Sequence, residues 1–440
     1  MLDVNVKLIN ELKNFIYSVA SNEVLLDKFR HMEGDFSRNR KLPFPALVLL
    51  ITKLCKKTLS VELEEFFEEM GIEQNYTVSA FCQQRHKLGA SFFYCWNAVL
   101  CSCYYELYAH KVKRWKGYRV VAADGSSVRL VNTPELKAYF GGQTNQHYWY
   151  VLGKTFYCYD VLNKVTLYSF LSPYHYGELP MAYQHIEWLE SDMLMIWDRN
   201  FYNYKMLWLH LFQEREIKFV IRCKDSLLHI RSFVASGESS RIIELLPTPA
   251  IRQSLYESGY IITSKTAIKV RLVRVELKDT IEVLATNLWE EEGHNDSEFK
   301  DIYFMRWGIE TNISFQKNIL QLEAFSGSKV NTVLQDFFAT VFTANLHNIL
   351  LQGAQQTVDN QSLNKKHPHQ INNNKSFGKL RKQLVGLFLR QDASQLLDHL
   401  YTYCIRNTLP VRKGRSFERV RKNPQRGSKH PMYTNYKRSF

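Results

Sequence analysis

Apolar residues recur along the chain first at helical and then at strand spacing, and the change falls near residue 110. Before it, residues 47–54 form a largely apolar run, and in residues 60–69 acidic and apolar side chains interleave with a helical period. Thr77 offers an N-cap hydroxyl to a short segment carrying Gln83, Gln84, Arg85, His86 and Lys87. Following the turn at Gly71, this segment suits the second helix of a helix-turn-helix, and equally a bundle helix with a solvated polar face. From Tyr118 the pattern is that of strands. Residues 118–123 are a β-rich run ending at Asp124-Gly125, and 148–159 and 165–171 are two more, joined by a turn at Leu162-Asn163-Lys164. Residues 179–189 read as a helix, 193–197 as an apolar strand ending in Asp198, 204–212 as an apolar helix and 218–222 as a strand. That order predicts an α/β fold, a mixed sheet with helices packed on it.

The remainder divides less evenly. Alternation in residues 269–275 and the apolar run 281–285 predict a β-rich insertion over 223–285. A helix starts near Asp296, an apolar helix covers 336–351, and a last helix covers 380–400. The Gln/Asn-rich stretch 352–377 reads as a loop or linker. The expected organisation is a helical N-terminal domain (1–110) that binds DNA and a core split between 111–222 and 286–351. A linker, helix and basic tail (352–440) complete it.

Composition changes the picture in one respect. With 440 residues, 45% hydrophobic and 23% charged, the chain has the make-up of an ordinary globular protein long enough for more than one domain. Its 57 Lys+Arg against 43 Asp+Glu leave a net charge of +14, which favours a polyanionic partner, nucleic acid first. Residues 412–438 alone hold ten Lys/Arg against the single Glu418, a basic arm by composition. None of the eight cysteines forms a CxxC pair, as expected of reduced thiols. No apolar run approaches the roughly 18 residues needed to span a bilayer, and the opening residues lack a secretory pattern. A cytoplasmic protein with no membrane partner is the expectation.

The candidate chemistry begins with Asp124 and Asp198, each at the end of a strand. Either aspartate alone suits a turn or a helix cap, but on adjacent strands the pair would repel unless a cation neutralised it. Hard oxygen ligands select Mg²⁺ or Mn²⁺. Further on, Tyr303, Arg306, Glu310 and Lys317 project on a helical wheel at roughly 0°, 300°, 340° and 320°, one arc about 60° wide. Ile302, Ile309 and Ile313 flank the arc on one side and Phe304 and Trp307 on the other, walls suited to packing on a sheet. Three carboxylates can hold two cations about 4 Å apart for phosphoryl transfer on DNA. Beside them a guanidinium and an ammonium would grip phosphates, and a phenol would hydrogen-bond or stack.

The run from Tyr303 to Lys317 meets Y-x2-R-x3-E-x6-K at every position. In this it resembles the DDE transposases of bacterial insertion sequences, the "insertion sequence four" group, whose catalytic core is RNase H-like. Asp124-Gly125-Ser126 matches the D-G-[ST] of that group's first acid. Asp198-Arg199-Asn200-Phe201 matches its D-R-G-[FY] apart from Asn for Gly, and Asn is the side chain that best tolerates a left-handed backbone. The resemblance covers about residues 100–350. It implies an RNase H-like mixed sheet with a β-rich insertion, and Asp124, Asp198 and Glu310 as catalytic residues binding two Mg²⁺ or Mn²⁺ ions. It further implies that Tyr303, Arg306 and Lys317 bind DNA. The activity implied is cut-and-paste transposition by phosphodiester hydrolysis and strand transfer. Its partners would be double-stranded DNA, as transposon ends and target, and a second copy in a synaptic homodimer. An inactive DNA-binding derivative and an RNase H-like nuclease remain the alternatives.

Overall fold

The computed structural model describes residues 2–38, 42–72, 76–144, 149–212 and 216–412. The basic arm expected at 412–438 lies outside them except for Arg412.

The first half of the core is built on strand β1 (Arg119–Arg129), whose residues Val120 to Ala123 are fully buried. A strand apolar on consecutive positions is covered on both faces, and β1 accordingly runs through the middle of the sheet. After it come α7 (Pro134–Phe140), β2 (Gly142–Thr144), β3 (Trp149–Asp160) and β4 (Val165–Pro173). Then follow α8 (Glu178–His185), β5 (Met193–Trp197), α9 (Tyr204–Leu211) and β6 (Lys218–Arg222). The chain continues through α10 (Leu228–Ser236), β7 (Ser240–Leu245), α11 (Pro249–Tyr256), β8 (Ile268–Glu276) and β9 (Ile281–Thr286). These strands form one nine-stranded mixed sheet in the order β2-β3-β1-β5-β6-β9-β8-β7, with β4 on the free side of β3. Pairings β1–β5 and β5–β6 are parallel and the others antiparallel. The β-rich stretch after residue 223 thus extends the main sheet through β6 and β9, and it also carries two helices not anticipated from its composition.

One strand end differs from expectation. β1 does not stop at Asp124-Gly125 but continues to Arg129, because Asp124 to Arg129 pair antiparallel with Tyr157 to Leu152 of β3. What stops is the parallel pairing with β5, whose last register pair is Ala123 with Trp197.

Before the sheet lie α1 (Leu2–Ser21), α2 (Glu23–Asp27), α3 (Phe44–Thr52), α4 (Leu59–Glu69), α5 (Val78–Arg85) and α6 (Ser91–Leu107). After it come α12 (Phe299–Phe304), α13 (Trp307–Ser314), the 33-residue α14 (Val330–Ser362), β10 (His369–Ile371), α15 (Asn373–Leu389), α16 (Ser394–Arg406) and β11 (Thr408–Pro410). The N-terminal helices share one apolar core with α14, α15, α16 and one face of the sheet, and Trp96 of α6 stacks on Phe342 of α14 at 3.8 Å between ring centroids. The other face is covered by α12 over β5, β6 and β8, and by α13 over β1 and β3. Residues 352–377 are not a linker: α14 runs on to Ser362, because Ala354, Val358 and Ser362 keep a buried face at four-residue spacing. The last helix is two, broken between Leu389 and Ser394.

Helix α5 is tied inward. Arg85 is 2% exposed; its guanidinium ion-pairs with Asp336 at 2.6 Å and donates to Gln335 Oε1, Ser326 Oγ and the Thr332 carbonyl. Gln84 is buried too, leaving Ser79, Gln83 and His86 on the solvent side. Arg85 therefore fastens the N-terminal helices to α14 and does not project toward a ligand. Removing one member of a buried pair strands the other charge, so Arg85→Ala should destabilise the protein by about 3–5 kcal/mol. The apolar double variant Arg85→Met/Asp336→Leu should recover most of that loss in urea unfolding.

Candidate active site

Asp124 and Asp198 each follow the last register pair between β1 and β5, so the two carboxylates leave neighbouring parallel strands at the same level. The Asp198 side chain caps the short 3-10 turn Arg199–Phe201, accepting from the Arg199 N–H at 2.6 Å. Asn200 lies in that turn without a positive φ, so the Asn-for-Gly exchange needs no left-handed backbone. Asp124 accepts from the Gly125 N–H at 2.8 Å. Burial pushes its carboxyl up to about 6, and the nearby Glu178 and Asp198 carboxylates push the same way, while the Gly125 N–H and Arg306 pull it down.

The segment from Tyr303 to Lys317 lies across these strand ends, but it is not one straight helix. At Met305 and Arg306 the backbone N–H groups bond three residues back, to Ile302 and Tyr303, which separates α12 from α13. Beyond Ser314 the chain widens into a π turn, Phe315–Ile319. The resulting kink sets Tyr303 and Ile302 against the apolar side of β5 and β6, and Ile309 and Ile313 against β1 and β3. Only the isoleucine wall is buried. Phe304 is 70% exposed and Trp307 54%, so the other wall faces solvent rather than the sheet.

Arg306 is the hub. Its Nη2 donates to Glu310 Oε1 at 2.8 Å, its Nη1 stands 3.9 Å from Asp124 Oδ2, and its guanidinium lies 5.4 Å from the centre of the Trp307 ring. The Tyr303 hydroxyl and Arg306 Nε are buried without a hydrogen-bond partner. Burial, reinforced by Asp198 and Glu282, holds the Tyr303 phenol above its ordinary value against the pull of Arg306 and Arg222. Lys317 stands farther along β1, donating from Nζ to Ser126 Oγ at 2.7 Å and to the Ser127 carbonyl at 2.6 Å. The structure thus brings Asp124, Asp198, Tyr303, Arg306 and Glu310 into one cluster, with Lys317 at its edge. Among the described residues no three carboxylates, histidines or cysteines stand close enough together to enclose a metal ion. Asp124 and Glu310 instead share the positive charge of Arg306.

Two neighbours escaped the sequence reading. Glu178 opens α8 and folds over Gly125, so closely that a Cβ there would sit 2.6 Å from Glu178 Cγ; it ion-pairs with Lys154 at 3.0 Å. The one hint in the sequence is the glycine itself, read as a turn former. Arg222 ends β6, the third parallel strand, one residue past the pair of Trp197 and Ile221, and it bonds Glu282 at 2.8 Å while its Nε has no partner.

The family described as "Transposase DDE domain" matches residues 115–346, more than half of the chain. The protein belongs to the transposase DDE domain family. The matched span begins just before β1 and ends within α14, so it takes in all six DDE-domain residues singled out above. No curated protein matches the chain. Seven chains of solved structures do, among them a cryo-EM structure of a piggyBac transposase synaptic complex with hairpin DNA. That one is 12% identical, with a TM-score of 0.43 over 91% of this chain and 81% of the other, a likeness too distant to add to the assignment.

The raised Asp124 carboxyl gives the DDE domain a defined pH response. A group whose folded-state value lies above its unfolded one contributes stability at low pH, and that contribution is lost as pH rises through about 6. In metal-free protein Asp124→Asn should therefore stabilise by about 3 kcal/mol at pH 8 and by much less at pH 4.5, read by urea unfolding with chelator present. An equal effect at both pH values would contradict the assignment of the shift to Asp124.

Proposed function

We propose that the protein is a metal-dependent DNA transposase of the insertion sequence four group, which moves an insertion sequence by cut-and-paste with Asp124, Asp198 and Glu310 as its catalytic carboxylates. The observation that carries this reading is the placement of Asp124 and Asp198 side by side at the ends of parallel pairing, with Glu310 tied to Asp124 through Arg306, inside the matched domain. The strand order β4-β3-β1-β5-β6, antiparallel on one side of β1 and parallel on the other, supports an RNase H-like core.

The chemistry of the donor set suits Mg²⁺ or Mn²⁺: all three groups are carboxylates, Glu178 and Asp198 crowd Asp124 with negative charge that Arg306 offsets, and closing the three on a pair of ions would require Arg306 to yield its place between Asp124 and Glu310. Such ions, when bound, supply an activated water or 3′-hydroxyl and a stabilised leaving oxygen. The chain's own residues hold the DNA. Arg306 presents a planar fork to a phosphate, Lys317 a point charge, and Tyr303 a hydroxyl free to donate. The exposed faces of Phe304 and Trp307 suit stacking on bases or sugars. Double-stranded DNA as transposon ends and target, a synaptic homodimer, further DNA contact by residues 1–110 and by the basic arm, and a bacterial cytoplasmic setting complete the proposal. No helix among the described residues is long and apolar enough to cross a membrane.

Supercoiled plasmid carrying the element's own flanks, incubated with Mg²⁺, tests the reading. Wild type should give excised and joined products; Glu310→Gln should lower cleavage on the order of a hundredfold or more while binding the ends as before. Nicking without joining would favour a nuclease, and end binding without any cleavage by the wild type a non-catalytic derivative. Full activity in Glu310→Gln would sink the site assignment.

A further inference from the structure

A cavity of about 410 Å³ lies beside the turn between β3 and β4, on the side of the sheet where β1 begins and away from Asp124. Lys111 and Lys113, from the segment after α6, line it together with Lys164 of that turn and Gln352, Gln355 and Asp359 of α14. Three ammonium groups face a single carboxylate, and that carboxylate already accepts a hydrogen bond from Gln355 at 2.7 Å. Among the described residues none of the three ammonium groups forms an ion pair or donates a side-chain hydrogen bond.

The backbone fixes two of these lysines in place. Asn163 accepts from the Lys113 N–H at 2.8 Å and donates to the Lys113 carbonyl at 3.0 Å, while Asn348 donates to the Lys164 carbonyl at 2.9 Å. Lys164 itself is held at a φ of +59°, a left-handed conformation that glycine or asparagine adopts more cheaply. Lys164 and Lys113 are both exposed, so their ammonium groups are open to a ligand arriving from solvent. Asn373, at the start of the 17-residue α15, closes the cavity and adds the partial positive charge of a helix N-terminus.

We propose that this cavity is a phosphate-binding site, taking either a backbone phosphodiester of DNA or the phosphate of a small molecule. The phosphate is held by Lys111, Lys113 and Lys164, with Gln352 and Gln355 as neutral donors. The site is separate from the Asp124 cluster and requires no cleavage chemistry, so it stands or falls apart from the activity proposed above.

The test uses the full chain with two variants, Lys164→Gly and Lys111→Ala/Lys113→Ala. Glycine relieves the left-handed backbone while deleting the charge, so Lys164→Gly should melt no lower than wild type. Two probes are applied, inorganic phosphate in thermal melts and a plain 30-base-pair duplex in binding titrations over a salt series. If DNA is the ligand, the double variant should bind the duplex more weakly and lower the slope of log K against log salt by up to about 0.9, the one phosphate contact the site makes. If the ligand is a small phosphate, inorganic phosphate should raise the melting temperature of wild type but of neither variant, with the duplex slope unchanged. Variants that match wild type with both probes would overturn the proposal.

Discussion

Two carboxylates on adjoining strand ends repel each other, and taking them partly out of water makes the repulsion worse. The site depends on how that charge is held. β1 and β5 fix Asp124 and Asp198 at one level because their parallel register ends together, and the rigid sheet leaves neither strand room to retreat. Arg306 supplies the compensating charge: it reaches Asp124 and Glu310 at once and is itself largely buried against the sheet. The break between α12 and α13 matters for the same reason, since it falls at Met305 and Arg306 and turns the guanidinium across the strand ends.

Arg306 bridges Asp124 and Glu310; on the function we propose, metal ions that neutralised the two acids would free the same fork for a phosphate. The buried, unpartnered Tyr303 hydroxyl and Arg306 Nε have the same character: polar atoms kept out of water at a cost that a ligand would offset.

Much of this was legible in the sequence where a periodic apolar pattern coincided with a short chemical motif. Met193 to Trp197 is buried at every position and could hardly be anything but an interior strand, so Asp198 fell where expected. The face shared by Tyr303, Arg306 and Glu310 survived the kink, because a turn bonded three residues back shifts a side chain by less than the width of that arc. What stayed hidden depends on partners distant in the chain. Gly125 to Arg129 continue β1 only because β3 pairs with them, and their Gly and Ser residues carry no strand signal of their own. Glu178 approaches Asp124 from a helix more than fifty residues away, and Arg85 looks like a surface residue until Asp336 is placed beside it. The outer turns of α14 read as linker because small residues, Gly353, Ala354 and Ser362, form their buried face.

On the function we propose, Asp124, Asp198 and Glu310 act as one metal site, with Arg306 holding Asp124 and Glu310 together until the ions arrive. Titration of Mn²⁺ into the full-length protein, followed by electron paramagnetic resonance of the free ion, tests it most directly. Binding should weaken at least about tenfold in each of Asp124→Asn, Asp198→Asn and Glu310→Gln, the cost of losing one ligand. Mn²⁺ binding that is untouched by Asp198→Asn or by Glu310→Gln would show that the three carboxylates do not share a site.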